Sequence, residues 1–345
     1  MSRSDWSPEW VRGEGPDADV VISTRARLAR SLAAYPFPSR ATAGDLENVA
    51  SEVSAAAECL AEALPGIRPV SVDRLSQDER AFLLDTHMAS MEQMGGGEGR
   101  LVFLEPAGAV SIMVNEEDHL RLQALVSGLA PHRAFELVDR ADDALGTRLK
   151  YGFSDRCGYL TASVSNVGTG LRVSALVHLA GTSASGTLRA RLRAAYDLGV
   201  SVRGLYGEGT RSMGDLFQVS NEVTLGLSEG EIVERVESVT RYLVQEERLA
   251  RKELMDEGRR FLLDRASGAL KLLRHSRAMA AAKAIDSMSP LRLAMELGLM
   301  AGCSRVTLNQ LLMGMRAGSG DGIEAHMHRA SLLRTALADA HIVGE

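Results

Sequence analysis

Four short segments of this 345-residue chain hold arginine and glutamate side chains that could bind charged groups. In the first, Ser23–Arg30, the chain follows an apolar run, and in an extended conformation Arg25 and Arg27 project from the same face. Two guanidinium groups on one face can bind a multiply charged anion such as a triphosphate. An amphipathic segment with solvated arginines has the same spacing, and spacing alone favours that simpler interpretation.

The second segment, Asn115–Arg121, reads Asn-Glu-Glu-Asp-His-Leu-Arg and predicts the start of a helix. Asn115 suits a helix N-cap, acidic residues suit the first turn, and Glu117 and Arg121 form an i,i+4 pair. The same helix start could instead present a carboxylate and a guanidinium to a cleft. By itself the segment leaves both interpretations open.

The third segment, Ser165–Leu176, predicts the end of a strand, a tight turn at two glycines and a helix with Arg172 in its first turn. Arginine is electrostatically disfavoured there unless an anion binds the helix N-terminus. The fourth segment, Arg203–Gly209, holds Glu208 in a glycine-flanked loop, where a glutamate is usually only solvated. His87 lies in a helical pattern, where a histidine is more often a partly buried core residue than a ligand.

Strands and helices that must position these residues alternate up to about residue 227, and only helices follow. The strand-like apolar runs are Val20–Ser23, Leu101–Leu104, Val110–Val114, Tyr159–Val164, Val200–Leu205 and Phe217–Val219, with helical patterns at Leu46–Leu64 and Asp78–Met91. A capping box of Ser228 and Glu231 predicts the start of a long helix. Breaks in the later helices are predicted near Gly268, Ser289–Pro290 and Gly318–Gly322. We therefore expect an α+β domain over residues 1–245 and an all-helical domain over residues 246–345.

Composition limits the class of protein. An apolar content of 45% and a charged content of 24% are typical of a folded globular chain, and the net charge of -6 argues against binding to nucleic acid or an anionic membrane. The three cysteines form no CxxC pair, which indicates a reducing compartment and excludes a thiolate zinc site. The polar N-terminus and the lack of an apolar run of ~20 residues predict no signal peptide and no membrane span, hence a cytoplasmic protein.

Taken together, the segments resemble the ATP:guanido phosphotransferase (phosphagen kinase) family, and within it the bacterial protein-arginine kinases. The resemblance runs from Gly13–Asp17 through the STRARLAR, NEEDHLR, SNVGTGLR and RGLYGEG segments to Asn221–Gly226. The order and spacing of NEEDHLR and RGxYGEG are specific to this family. The resemblance implies an α+β fold with an antiparallel β-sheet flanked by helices, similar to the catalytic domain of glutamine synthetase, followed by an all-helical C-terminal domain.

The resemblance also implies the residues of a site. ATP phosphates would be bound by Arg25, Arg27, Arg121, Arg172 and Arg203, with His87 beside the nucleotide. The implied ATP site further includes their sequence neighbours Ser23, Thr24, Ala26, Val173, Ser174, Ala175, Leu176, Gly204, Leu205, Tyr206, Gly207 and Glu208. Glu117 and Glu208 match the two carboxylates that hold the substrate guanidinium. Mg²⁺ would enter bound to ATP, without a metal site on the protein.

Phosphoryl transfer to a guanidine explains why these residue types are needed. The reaction requires stabilisation of charge on the phosphate oxygens and in-line positioning, which arginines and Mg²⁺ supply. A guanidinium, whose pKa lies far above neutral pH, is a poor nucleophile. Two carboxylates can hold it bidentately and accept a proton as the N–P bond forms. Which of Glu117 and Glu208 orients the acceptor and which is the base stays open.

Three functions remain as alternatives. Small-molecule guanidino kinases carry a helical domain before the STRxR segment, whereas here 22 residues precede Ser23 and about a hundred helical residues are added at the C-terminus. We therefore expect a kinase for arginine side chains of proteins, possessing a more open site. The alternatives are a kinase for free arginine or a related small guanidine, and a pseudokinase or adaptor that binds nucleotide without turnover.

The sequence departs from the family in two places. Ser163 stands at the position of the family cysteine and cannot supply a thiolate, which motivates the pseudokinase alternative. The tail segment that binds phosphoarginine in protein-arginine kinases reads Ala325–Ala330 here and keeps only Arg329 and Ala330, which predicts a weakened or absent regulatory site. The resemblance further implies a stress-response role, a homodimer, a zinc-binding activator, a heat-shock repressor and an AAA+ protease that degrades the marked proteins.

Overall fold

A computed structural model describes residues 7–205, 212–315 and 322–343, and its central feature is an antiparallel β-sheet of eight strands. These strands are β1 (Val21–Arg30), β2 (Arg68–Ser71), β3 (Leu101–Leu104), β4 (Val110–Val114), β5 (Leu120–Ser127), β8 (Leu171–His178), β9 (Val200–Gly204) and β10 (Leu216–Asn221). Two short pairs lie outside the sheet, β6 (Phe153–Ser154) with β7 (Gly158–Tyr159) and β11 (Met300–Ala301) with β12 (His341–Ile342). The strand order is β2-β3-β4-β5-β1-β8-β10-β9, so β1 lies near the centre.

Helices cover one face of the sheet and form the C-terminal region. They are α1 (Ala43–Ala56), α2 (Leu60–Ala63), α3 (Gln77–Asp85), α4 (Met91–Met94), α5 (Pro131–Gly146), α6 (Ala180–Ala184), α7 (Leu188–Asp197), α8 (Glu229–Glu257), α9 (Arg259–His275), α10 (Ala281–Glu296), α11 (Arg305–Gly314) and α12 (Ile323–Ala336). No helix in the described ranges is both long enough and apolar enough to span a bilayer. The predicted α+β architecture with a helical C-terminal region is confirmed, although this region also contains the short β11–β12 pair, which the prediction of helices alone did not include.

Alternation along β1 gives the sheet two different faces. Ala26 and Leu28 are fully buried in the core beneath α5 and α8. Arg25 and Arg27 lie between them in the sequence and therefore project from the opposite face. On the neighbouring strands the positions facing α5 and α8 are likewise apolar. The other side carries polar residues such as Gln123 and Ser174 beside apolar residues such as Leu125, which pack in a second core with the C-terminal helices. The sheet thus carries a polar face at its centre.

The prediction of a helix starting at Asn115 is wrong. Residues 115–119 form the turn of a hairpin between β4 and β5. Asn115 adopts a left-handed backbone conformation (φ 58°), and its side-chain amide donates hydrogen bonds to the carbonyl groups of Leu46 (2.8 Å) and Gly99 (3.0 Å). The residue that suits an N-cap therefore closes a turn, because asparagine tolerates this conformation better than most residues.

The prediction of a helix beginning at Arg172 is also wrong. Arg172 lies in β8, which pairs with β1 on one side and β10 on the other. Val173, Ala175 and Val177 alternate into the helix-side core. This alternation has the period of a strand and leaves Arg172 on the polar face.

In the C-terminal region the start of the long helix is confirmed, because the Ser228 hydroxyl accepts a hydrogen bond from the Glu231 backbone and the Glu231 carboxylate accepts one from the Ser228 backbone. The predicted breaks at Gly268 and Pro290 are wrong, since these residues lie inside α9 and α10. The predicted break near 318–322 lies mostly outside the described residues. The domain boundary at residue 245 falls within α8 and stays a prediction.

Arg30, the last residue of β1, stabilises the packing of the sheet on α5. Its guanidinium lies 2.6 Å from the Asp142 carboxylate, donates to the Thr169 carbonyl (2.8 Å) and lies 3.5 Å from the centre of the Tyr159 ring. Arg30 and Asp142 are both buried. Arg30 is therefore a structural arginine, unlike Arg25 and Arg27.

Asp142→Ala is expected to lower the free energy of unfolding by about 3–5 kcal/mol, because it leaves the buried Arg30 charge without its carboxylate. Urea denaturation followed by circular dichroism measures this. Asp143→Ala, at an exposed neighbouring position on α5, should change the free energy by no more than ~0.5 kcal/mol. Equal effects of the two substitutions would contradict a stabilising role for the buried pair.

Candidate active site

The register of the sheet brings the predicted arginines onto one polar face. Arg27 and Arg172 are direct cross-strand partners on β1 and β8. Arg25 lies two residues away along β1, Arg121 is the second residue of β5 on the other side of β1, and Arg203 lies near the end of β9. Five guanidinium groups from four strands therefore surround one region.

These groups are close enough to change one another's ionisation. The pKa of Arg27 is well below its ordinary value, because the side chain is desolvated and because the charges of Arg25, Arg121 and Arg172 repel its own. The pKa of Arg172 is lowered by desolvation and by the charges of Arg203 and Arg121. Such a concentration of positive charge favours a bound polyanion.

Two buried donor atoms indicate where that anion would bind. The Nε atoms of Arg27 and Arg172 find no hydrogen-bond acceptor among the described residues. A buried donor left in this state costs about 1–3 kcal/mol. Phosphate oxygens would accept these hydrogen bonds and offset the repulsion between the guanidinium groups. The residues present therefore fit a phosphate chain.

Two cavities share Arg121 in their linings. The larger, of about 890 Å³, lies over the polar face. Its lining includes Arg25, His87 and Gln123, and also Arg329 of the C-terminal helix α12. Its size is that of a cavity for a nucleotide-sized ligand. The smaller, of about 120 Å³, combines basic and acidic groups. It is lined by Arg27, Leu28, Ala29, Glu116, Glu117, Asp118, Arg121, Ser165, Asn166, Gly170 and Arg172.

Arg329 is a residue of the larger cavity that sequence reasoning assigned elsewhere. It is buried on α12, its Nε donates to the Met279 carbonyl (3.2 Å), and it lines the same cavity as Arg25 and Arg121. A sequence pattern offers no signal for this approach, because it depends on how the C-terminal helices pack against the sheet. Weakening of the phosphoarginine site around Ala325–Ala330 stays a prediction.

His87 does not lie in a helix as predicted. The helix α3 ends at Asp85, and His87 adopts a left-handed conformation (φ 60°). Its ring centre lies 5.7 Å from that of Trp10, and its carbonyl accepts a hydrogen bond from the Gln123 amide (2.5 Å). His87 therefore lines the larger cavity from a turn rather than from a helix.

The hairpin turn carries the acidic part of the site. Glu117 is exposed at the tip, whereas Glu116 and Asp118 are buried on either side of it. Partial loss of hydration and the charges of Asp118 and Glu116 raise the pKa of Glu117, while Arg121 opposes this rise. Arg121 pairs with Glu116 rather than with Glu117. Tyr206, Gly207 and Glu208 lie outside the described residues, so the pairing of Glu117 with Glu208 stays a prediction.

Asp118 and His119 hold this turn in place, and neither was predicted to be a site residue. Asp118 Oδ1 accepts hydrogen bonds from the Ser31 hydroxyl (2.8 Å) and the Ala162 backbone (2.7 Å). His119 Nδ1 accepts one from the Leu32 backbone (2.9 Å), and burial lowers the pKa of His119. A neutral histidine with an accepting Nδ1 matches this geometry. The only sequence signal for either role is their position beside Glu117.

Ser163 follows Ala162, whose backbone donates the hydrogen bond to Asp118 of the acidic turn. Its hydroxyl is 2.8 Å from that of Ser165, and Ser165 lines the smaller cavity with Glu117. The position of the family cysteine is therefore beside the acidic part of the site. It offers a hydroxyl there instead of a thiol.

The other predicted neighbours of the arginines divide according to the pleat of the sheet. A third cavity, which touches Arg25 and His87, is also lined by Ser23, Ser174, Leu176 and Leu205. Four others are buried and lie at the alternate positions of β1 and β8, namely Thr24, Ala26, Val173 and Ala175. Gly204 follows Arg203 at the end of β9. The predicted ATP-site residues thus include some on the polar face of the sheet and some on the opposite face, which is buried beneath the helices.

Comparisons with known proteins agree with this geometry. Residues 48–250 match the ATP:guanido phosphotransferase C-terminal catalytic domain, and residues 259–342 match the protein-arginine kinase McsB C-terminal domain. The chain is 40% identical over 340 residues to a protein-arginine kinase of Moorella thermoacetica, covering 96% of this chain and 97% of the relative. It is 36% identical over 336 residues to a protein-arginine kinase of Halothermothrix orenii, covering 95% and 96% of the two chains.

Solved structures show the same fold. Lombricine kinase superposes with a TM-score of 0.60 at 24% identity, covering 75% of this chain and 74% of the other. A duplicated taurocyamine kinase from Schistosoma mansoni gives a TM-score of 0.60 at 23% identity, covering 78% of this chain and 39% of the other. At these identities the likeness concerns the fold alone.

Proposed function

Since this chain belongs to the ATP:guanido phosphotransferase family, we propose that it is a protein-arginine kinase, which transfers the γ-phosphoryl group of MgATP to arginine side chains of proteins. The observation that carries this proposal is the meeting of Arg27, Arg121 and Arg172 with Glu117 around one cavity. Such a cavity can hold a phosphate and a guanidinium side by side. The choice of protein arginine is supported by relatives of that name that match nearly the whole chain.

In the proposed reaction, the five arginines bind the phosphates of ATP, and the base and ribose occupy the larger cavity beside His87. Mg²⁺ enters with ATP and neutralises charge on the phosphates. The acceptor guanidinium lies against Glu117, with Glu208 as the second carboxylate. Its terminal nitrogen attacks the γ-phosphorus, the N–P bond forms as the bond to the ADP oxygen breaks, and the nitrogen's proton passes to a carboxylate.

The remaining parts of the proposal rest on the sequence pattern and on the family resemblance. They are a catalytic domain over residues 1–245 with a helical domain beyond it, a cytoplasmic location, a homodimer, and a stress-response role in which marked proteins pass to an AAA+ protease. A zinc-binding activator protein belongs to the same set. The proposed reaction at the site does not depend on any of these parts.

The experiment that tests the function is transfer from radiolabelled ATP to a protein acceptor by the purified full-length chain. We expect acid-labile label on arginine, identified by mass spectrometry. Faster transfer to free arginine than to protein would favour the small-guanidine alternative. Nucleotide binding without transfer to either acceptor would favour the pseudokinase alternative, which Ser163 motivates.

Asp118→Asn is expected to move the acidic limb of the pH–rate profile to lower pH. The unprotonated form of Glu117 is the active one in this proposal, so kcat/KM for the acceptor falls as pH drops through its pKa. That pKa lies above the ordinary value of 4.5, in part because of the Asp118 charge. The amide removes this charge but can keep an oxygen acceptor for Ser31 and Ala162.

The profile should be measured with a protein acceptor at saturating MgATP. Asp143→Asn, an exposed carboxylate on α5, is the matched control and should leave the acidic limb where it is. A limb that stays unchanged in Asp118→Asn would show that Glu117 does not determine it.

A further inference from the structure

Large apolar side chains are exposed on the loop next to the smaller cavity and on two segments that are hydrogen-bonded to this loop. They come from three segments and are Phe153, Leu160, Val164, Val223 and Leu225. Val164 is 87% exposed, and the others are between 38% and 58% exposed. Single exposed apolar residues are ordinary, but several that adjoin at the opening of a site indicate an interaction surface.

Hydrogen bonds show that the loop with Val164 adjoins the segment with Val223 and Leu225. The Thr224 hydroxyl donates to the carbonyl of Val167 (2.7 Å) and also approaches that of Ser165 (3.1 Å). The Thr169 backbone donates to the Thr224 carbonyl (3.0 Å). Val223 and Leu225 flank Thr224, so they lie beside the loop that presents Val164.

The third segment adjoins the same loop from the other side. The Tyr159 backbone donates to the Gly168 carbonyl (2.8 Å), and the Phe153 ring centre lies 5.4 Å from that of Tyr159. Leu160 follows Tyr159, and its backbone donates to the Gly152 carbonyl (2.9 Å). The three segments that carry the five exposed side chains are therefore joined to one another by hydrogen bonds, and we name these five side chains the apolar rim.

The apolar rim is continuous with the lining of the smaller cavity. Ser165 and Asn166 line that cavity together with Glu117, and they follow Val164 directly in the chain. The Ser163 and Ser165 hydroxyls are 2.8 Å apart, which holds this loop in a tight turn with Val164 at its exposed point.

The acidic groups of the cavity determine what can occupy the apolar rim. A guanidinium held at Glu117 belongs to an arginine whose aliphatic stem leaves through the opening of the cavity. When that arginine is part of a polypeptide, its backbone and its neighbouring residues must then contact the surface around the opening. The occupant of the rim is therefore the stretch of protein substrate on either side of the target arginine.

We infer that the apolar rim is a docking surface for the residues that flank the target arginine, and that it favours arginines next to large apolar side chains. This inference rests on the proposed function and adds a sequence preference to it. Contact of one aliphatic side chain with a partly open apolar surface should raise kcat/KM about tenfold. The preference arises from burial of apolar surface, so it should not depend on ionic strength.

The experiment uses the full-length chain and two peptides of equal length and charge. Each holds one arginine, flanked on both sides by leucine in one peptide and by serine in the other. We expect the leucine-flanked peptide to have a kcat/KM about tenfold higher. Val164→Ser and Leu225→Ser should each reduce this ratio toward one. Leu249→Ser, at a residue on α8 that is 56% exposed, is the matched control and should retain the ratio.

Each outcome bears on the inference. Equal kcat/KM for the two peptides would overturn it, and so would a preference that both rim variants retain. Loss of self-association in the rim variants without a change in the ratio, measured by analytical ultracentrifugation, would assign the surface to a second copy of the chain and also overturn it. Transfer to free arginine but to neither peptide would defeat the proposed function itself, which separates the two failures.

Discussion

Arg27→Lys is expected to lower kcat/KM for MgATP by about 10²–10³-fold, as removal of one well-placed donor to a developing anion does in other enzymes. The substitution keeps a basic group on β1 but removes the Nε donor and the planar fork of the guanidinium. In the structure this Nε is buried and finds no acceptor within the described ranges, which marks it as a donor for the phosphate chain. The loss should therefore exceed what a change of side-chain length alone would produce.

The same variant should lose further activity as the pH rises. Desolvation and the charges of Arg25, Arg121 and Arg172 already lower the pKa of Arg27 well below its ordinary value. A lysine amine at this position would be lowered in the same direction from ~10.4, so it would lose its charge at a pH where a guanidinium keeps it. Steady-state kinetics across the alkaline range measure this effect.

Arg140→Lys, an exposed arginine on α5, is the matched control and should leave kcat/KM and its pH dependence unchanged. The free energy of unfolding of Arg27→Lys should not fall, because the substitution removes a buried Nε donor that finds no acceptor among the described residues. A loss of activity accompanied by an equal loss of stability would instead assign Arg27 a structural role.

Strands that appear as short apolar runs could be predicted from the sequence, but their partners could not. The runs at Leu101–Leu104 and Val110–Val114 correspond to β3 and β4. The residues after Val114 carry a strong local signal for a helix start, yet the pairing of β4 with β5 makes them a turn. Such pairing is a tertiary interaction, and it overrides local propensity.

Arg172 was identified as a site residue although the secondary structure predicted around it was wrong. Its predicted position at a helix N-terminus called for an anion, because the helix dipole repels a cation there. In the structure a different repulsion favours a bound anion, that between Arg27 and its cross-strand partner Arg172. Like charges opposite each other destabilise a sheet. The family resemblance identified the residue, and the register of β1 and β8 supplies the physical reason.

The approach of the C-terminal helices to the site could not be predicted at all. Arg329 meets Arg25 and Arg121 around the larger cavity although about 200 or more residues separate it from either in the sequence. The orientation of a helix pair depends on how their apolar surfaces pack, and no short motif encodes it. Tail residues therefore become part of the site only in three dimensions.

Glu117→Gln is expected to lower kcat for transfer to a protein acceptor by about 10²–10⁴-fold, the range for loss of a general base. The amide has nearly the same shape and can still accept a hydrogen bond, but it carries no charge for the guanidinium and does not take up its proton. The KM for MgATP should stay close to that of the wild type, because Glu117 lines the smaller cavity and not the larger one. Steady-state kinetics with each substrate varied in turn measure both values.

Glu136→Gln, at an exposed position on α5 behind the sheet, is the matched control and should retain full activity. Glu116→Gln provides the sharper contrast, because Glu116 is buried and pairs with Arg121. Its loss should act through the phosphate-binding arginine and raise the KM for MgATP. If Glu117→Gln raised the KM for MgATP and left kcat unchanged, Glu117 would belong with Glu116 to the nucleotide side. The acceptor guanidinium would then have to be held by Glu208 and other groups.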